Sequence, residues 1–391
     1  ESYIKVVKVD AESGKNIPYA GAGFKIFDPD GNQVTMTFTY PTPTTIDTFY
    51  TDANGQLVTP EKLEYGKGYS LVEVQAPYGY VLDSTPVYFD VAEEHSSDEG
   101  GITVIKVDKP NMAQKGTVSI EKTGEVFSGV NISGEENADV IYQPVYEVKG
   151  LAGAVYEITA AEDIITPDGT LRYAKGEVVD TVTTDENGLA KSKELYLGRY
   201  TVVEITAPEG MVINKEAHDV ELTYAGQEVS VTETATSFVN DRQKASVSVR
   251  KEDQDTENPL AGGIYGLYTA EDVYGKSGKL LVEKDTLIEK VTTGENGTAS
   301  YQADLPIGYS YYIKELQAPA QYVKNETEKF SFHFQYVEGE EQCSFSHTFQ
   351  NERVKAEIIL EKEDAETGKT PQGDASLKGA VYGLYARENI V

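Results

Sequence analysis

Val118-Ser119-Ile120-Glu121-Lys122-Thr123-Gly124 alternates apolar and polar side chains, then sets a lysine where the next apolar residue belongs. Side chains along a strand point to opposite faces in turn, so Lys122 continues the inward row of Val118 and Ile120. Three other stretches read the same way: Ile4-Lys5-Val6-Val7-Lys8-Val9-Asp10, Val247-Ser248-Val249-Arg250-Lys251-Glu252-Asp253 and Ile358-Ile359-Leu360-Glu361-Lys362-Glu363-Asp364. The four lysines recur at separations of about 110 to 130 residues, a domain's length rather than a solenoid period.

Each of these strands is followed by a Gly-rich one: Gly21-Ala22-Gly23-Phe24, Gly153-Ala154-Val155-Tyr156, Gly262-Gly263-Ile264-Tyr265 and Gly379-Ala380-Val381-Tyr382. An Asn-Gly turn comes next at Asn54-Gly55, Asn187-Gly188 and Asn296-Gly297, a strong short-range hairpin signal. Then a strand runs through Glu73, Glu204 or Glu315 into Ala76-Pro77, Ala207-Pro208 or Ala318-Pro319. Closing strands reach Asp108, Asn240 and Asn351.

The repeat divides the chain into units 1–112, 113–242 and 243–353, with 354–391 as the start of a fourth, incomplete unit. The second carries an insert near 125–150, polar and Gly-containing, that reads as a loop. Short alternating strands without a long amphipathic helix predict an all-β chain of tandem antiparallel β-sandwiches. Junctions of about ten residues predict an extended rod.

Composition narrows the function. With 34 Lys and Arg against 65 Asp and Glu, the net charge of −31 argues against nucleic acid, whose recognition needs a basic stripe, and against anionic membrane surfaces. The 27 tyrosines and 12 phenylalanines can fill several cores. Cys343 is the only cysteine, so no internal disulfide can form, and it reads as a small buried hydrophobe. The chain begins at Glu1 rather than Met and reads as a piece of a longer protein. Its histidines and its Asp28-Pro29-Asp30-Gly31-Asn32 turn give no metal-ligand spacing, and no cofactor motif stands out.

The glutamates follow the same inward logic as the lysines: Tyr69 and Leu71 lead to Glu73, Tyr200 and Val202 to Glu204, Tyr311 and Ile313 to Glu315. Phe238 leads to Asn240 and Phe349 to Asn351. Each complete unit therefore turns a Lys, a Glu and an Asn or Asp toward its core, or else holds them at strand ends where their tips reach water. A lone buried charge is expensive and shifts its pKa toward neutrality, which would give a nucleophilic amine and a protonated carboxylic acid.

These strands, the Glu-x-x-Ala-Pro-x-Gly-Tyr box and the Phe-x-Asn closing strand resemble the Cna protein B-type, or SpaA-type, prealbumin-like domains of Gram-positive surface proteins and pilins. The resemblance implies a spontaneous isopeptide bond between first-strand Lys and last-strand Asn or Asp, assisted by Glu. The implied sets are Lys8, Glu73, Asp108; Lys122, Glu204, Asn240; and Lys251, Glu315, Asn351, with Lys362 unpaired. In the first unit Lys106 stands where the others carry Phe238 and Phe349, and Gln321 replaces the box glycine of the third.

The function so implied is structural: a stalk or shaft segment of a wall-anchored adhesin or pilus-like protein outside the cell, each domain reacting once with itself rather than turning over as an enzyme. Its partner would be the cell wall, reached through regions outside this chain. The alternative is a binding module for host matrix protein or glycan, favoured by the insert near 125–150.

Overall fold

The computed structural model describes residues 1–391 and is built almost entirely of strands. In the first domain one sheet is ordered Gln56–Val58, Tyr3–Asp10, Ile102–Asn111, Ser97–Glu99; the facing sheet is ordered Phe49–Tyr50, Gly23–Phe27, Gly66–Gln75, Val87–Val91. The third domain repeats both sheets, around Lys244–Asp253 with Gln342–Asn351 and around Ile264–Thr269 with Ser310–Gln317. The second does so around Lys115–Ile132 with Val231–Asn240 and Val155–Ala160 with Gly198–Thr206.

Within each sandwich most neighbours are antiparallel, but the first and closing strands pair in parallel. Chain travelling through the facing sheet between them returns to the same edge in the same direction, which a hairpin could not do. Each domain has its own core, with Ile4, Phe24 and Leu71 in the first, Val118, Tyr156 and Val202 in the second, Val249, Tyr265 and Ile313 in the third. No hydrogen bond or ion pair joins the first domain to the third, so the domains touch only in sequence order. The accessible surface of 22109 Å² exceeds the roughly 15,000 Å² of a compact protein of this mass. Separate cores and the exposed segment 354–391 account for the excess.

One expectation changes. The stretch near 125–150 is not a loop: Lys115–Ile132 runs on past its sandwich and folds back through Tyr142–Gly150 as a hairpin with a bulge between Phe127 and Gly129. Its apolar and aromatic residues alternate well enough to pair, as Phe127 does with Tyr146 at 5.8 Å between ring centroids. The tip then meets the third domain, where Ile141 N–H donates to the Ile288 carbonyl and Lys290 N–H to that of Asp139. The segment 354–391, expected as the start of an incomplete fourth unit that cannot close a sandwich by itself, forms no strand. Ile358–Leu360 and Val381 stay exposed, because a first strand has no sheet without its closing and neighbouring strands.

Candidate functional site

The parallel pairing sets Lys8 opposite Lys109, Lys122 opposite Phe238 and Lys251 opposite Phe349. Two residues further along each closing strand, on the same face, come Asn111, Asn240 and Asn351. The glutamate arrives from the facing sheet, where Glu73 pairs with Phe24, Glu204 with Tyr156 and Glu315 with Tyr265. Lys, Glu and Asn thus meet between the sheets, and all nine side chains are buried, the three lysines at 0% exposure.

Lysine Nζ lies 2.9, 3.3 and 3.7 Å from Oε1 of Glu73, Glu204 and Glu315. The other carboxyl oxygen, Oε2, accepts from the carboxamide, Asn111 Nδ2 at 2.7 Å and Asn240 Nδ2 at 3.0 Å, whereas Asn351 Nδ2 is shared between Glu315 Oε1 at 2.9 Å and Oε2 at 3.2 Å. Each Nδ2 also donates to a main-chain carbonyl, of Val81 at 2.8 Å, Val212 at 2.6 Å and Val323 at 2.7 Å. The main-chain N–H of Asp83, Asn214 or Asn325 donates to the same Oε2, at 3.1, 2.7 and 2.7 Å. One turn after each Ala-Pro box therefore orients both the carboxyl group and the carboxamide. Sequence reasoning missed these residues; a constant offset from each Glu was the available signal.

In two of the three clusters the amine and the carboxamide oxygen are poorly provided for. In the second and third domains Lys122 Nζ, Lys251 Nζ, Asn240 Oδ1 and Asn351 Oδ1 are buried without a hydrogen-bond partner. In the first, Lys8 Nζ donates to the Lys109 carbonyl at 2.8 Å and to Asn111 Oδ1. Such groups are rare in folded proteins because each forfeits its hydration. Aromatic faces line the lysines: Phe24 at 5.6 Å from Lys8, Tyr156 and Phe238 at 5.8 and 5.6 Å from Lys122, and Tyr265 at 6.0 Å from Lys251. Burial pushes all three ammonium groups down, Lys8 and Lys251 to about 8, against the opposing pull of the neighbouring glutamate.

The first domain corrects one expected residue. Asp108 points outward, half-exposed, 3.6 Å from the equally exposed Lys106. The inward row of its strand is Val107, Lys109, Asn111. Glu73 and Asn111 are 38 residues apart, whereas 36 separate Glu204 from Asn240 and Glu315 from Asn351. The longer connection made Asp108 look equivalent. Lys109, not Lys106, fills the place of Phe238 and Phe349. It is buried beside Lys8, 3.3 Å from Asp83, and donates to the Thr85 carbonyl at 3.1 Å. Lys362 is exposed and hydrogen-bonds only the Glu363 carbonyl, far from any such cluster. Gln321 holds the box turn at φ 71, the conformation Gly79 and Gly210 adopt at φ 90 and 84.

A mixed two-sheet sandwich whose first and last strands meet over a buried Lys–Glu–Asn cluster is a prealbumin-like domain. The family model "SpaA: Prealbumin-like fold domain" matches residues 2–104, 145–236 and 245–348, and the chain belongs to that family. Among solved structures, the Bacillus anthracis TIE protein has a TM-score of 0.51 at 24% identity, over 90% of this chain and 50% of that one. The trypsin-resistant surface T6 protein of Streptococcus pyogenes serotype M6 is 28% identical over 139 residues, 33% of this chain and 25% of that protein. Serine-aspartate repeat-containing protein F of Staphylococcus epidermidis is 30% identical over 193 residues, 48% of this chain and 10% of that protein. The chain thus spans a quarter or less of the length of these curated relatives.

Proposed function

We propose that the chain is a structural stalk or shaft segment of a Gram-positive cell-surface protein, in which each domain ties its first strand to its last by a Lys–Asn amide. The observation that carries this reading is the threefold recurrence of an amine and a carboxamide on one sheet face, bridged by a carboxyl group from the other. The bonds are Lys8–Asn111, Lys122–Asn240 and Lys251–Asn351, assisted by Glu73, Glu204 and Glu315.

The chemistry follows from which oxygen faces which nitrogen. In the first step the lysine proton passes to glutamate Oε1, the nearest acceptor, which frees the amine as a nucleophile and makes the carboxyl group the acid of the later step. The amine attacks the asparagine Cγ, the bond from Cγ to Nδ2 breaks, and ammonia leaves. The carboxyl group takes a proton from the attacking nitrogen and delivers one to Nδ2, which Oε2 already faces. The carbonyl of Val81, Val212 or Val323 holds the departing nitrogen. Amine plus carboxamide gives amide plus ammonia, with no oxidant. The fold supplies proximity, and each domain reacts once.

Mechanically, tension entering at a first strand would cross the new bond and leave by the closing strand, bypassing the sandwich between. The surface location of the T6 protein, by its name, supports a place outside the cell, with attachment to the cell wall through sequence beyond this chain. The alternative of a binding module rested on the insert, and its hairpin is occupied against the third domain. Pulling single molecules from both ends of 1–353 tests the proposal. Intact domains should give no unfolding steps, whereas Glu204→Ala should release one step of about 40 nm, the extended length of its loop. Such steps in the unmodified chain would refute it.

A further inference from the structure

Three residues beyond each reactive asparagine lies a glutamine, Gln114 at the first junction and Gln243 at the second. Both are 1% exposed, although they belong to the connection between domains. Gln114 N–H donates to the Gly79 carbonyl of the first domain at 2.9 Å. Its side chain enters the second domain, where Nε2 donates to the carbonyls of Gly226 at 2.9 Å and Val229 at 2.6 Å, and Oε1 accepts from Ala225 N–H at 2.9 Å.

Gln243 repeats every element. Its N–H donates to the Gly210 carbonyl at 2.9 Å. Its Nε2 donates to the carbonyls of Val337 at 2.6 Å and Glu340 at 2.7 Å, and Oε1 accepts from Val337 N–H at 3.0 Å. A tyrosine of the following domain answers in reverse: Tyr224 Oη donates to the Tyr80 carbonyl and Tyr336 Oη to that of Met211, each at 3.0 Å.

We infer that Gln114 and Gln243 are latches that fix the angle between consecutive domains and make the three sandwiches one stiff unit. Domains joined by short connections ordinarily hinge about them. Here one carboxamide spends both donors and its acceptor on a loop of the next domain while its own main chain is held by the previous one. Rotation at the junction strips a buried amide of three partners at once. The two junctions otherwise differ: the first adds the Arg172–Asp10 ion pair at 3.0 Å, the second the hairpin and the Arg242–Asp304 pair. The shared part is therefore the latch. After the third domain, Val354 N–H still donates to the Gln321 carbonyl at 2.8 Å, but valine has no carboxamide to insert. Stiffening is independent of the amide crosslinks, which lie inside the domains.

The test uses the full chain with Cys343→Ser, whose hydroxyl keeps a donor beside Gln243 Oε1 where the thiol lies at 3.5 Å, and spin labels on introduced cysteines, Lys67→Cys with Lys193→Cys across the first junction and Lys193→Cys with Lys284→Cys across the second. Pulsed dipolar spectroscopy should give one narrow distance distribution for each pair. Gln114→Met and Gln243→Met, similar in length but with no N–H donor and only a weak sulfur acceptor, should each broaden the distribution across their own junction at least two-fold and leave the other unchanged. Gln114→Glu and Gln243→Glu, which cannot offer the two donors, should do the same. Intact mass and melting temperature of the domains confirm in parallel that the sandwiches persist. Distributions as narrow in the variants as in the parent chain overturn the inference, as do parent distributions already broad.

Discussion

Asn240 stands two residues past the partner of Lys122 on a parallel strand, so that amine and carboxamide share one face of a sheet. No hairpin produces that relationship. It needs the first and last strands side by side and running the same way, a demand that fixes the topology of the whole sandwich. The site is in this sense a check on the fold: if the last strand shifts by one residue, the asparagine turns to solvent.

Asp108 and Asn111 can be told apart directly. Asp108→Ala should leave the first domain's loss of about 17 Da, one ammonia, intact. Asn111→Ala should abolish it. Peptide mapping by tandem mass spectrometry, with Lys8 linked to residue 111 or to residue 108, reads the answer.

Replacing Glu204 by Ala should leave a folded second domain without its crosslink. Opening a loop of about 120 residues removes on the order of 5 kcal/mol of stabilisation. Calorimetry should show the second domain melting about 15–30 °C lower, while the first and third keep their transitions.

How far the site could be read from sequence follows from the same geometry. Lys8, Lys122, Lys251 and the three glutamates were legible because a period of two places them among apolar residues whatever the partner strand. The asparagine of the first cluster, Asn111, was not, because Lys109 fills the aromatic position and the preceding connection is longer. The hairpin after Thr123 was hidden by its polar and glycine residues, whose strand character comes from pairing with Tyr142–Gly150. The junction glutamines carry no local signal at all: one carboxamide in a linker acquires meaning only from the loop it enters.

The lowered lysine gives a pH signature in a domain that cannot react. In Asn351→Ala, Lys251 keeps its burial, with a folded pKa of about 8 against 10.5 for the free side chain. Between those values the unfolded chain binds more protons than the folded one, so stability rises with pH. Denaturant unfolding of this variant should show a gain of roughly 2–3 kcal/mol from pH 8 to 10.5 and a flat response to Lys251 below that range.

Gln321 offers a stabilising change. A non-glycine residue at φ 71 carries strain of about 1 kcal/mol that glycine avoids. Gln321→Gly should raise the third domain's melting temperature by a few degrees, without altering its mass change on crosslinking.

Shortening the hairpin by replacing 133–141 with Asn-Gly should preserve the second domain's crosslink and expose the edge strand Leu287–Thr292 of the third. Hydrogen exchange should then speed up at Lys290, whose N–H donates to Asp139, while Ile313 in the core of the same sheet stays protected.

The central claim is that all three clusters have reacted, and the intact mass of the unmodified chain tests it most directly. Three amides, each formed with loss of one ammonia, lower the mass by about 51 Da from the value calculated from the sequence, with Lys8–Asn111, Lys122–Asn240 and Lys251–Asn351 recovered as linked peptides. A measured mass equal to the sequence mass, in folded protein, contradicts it.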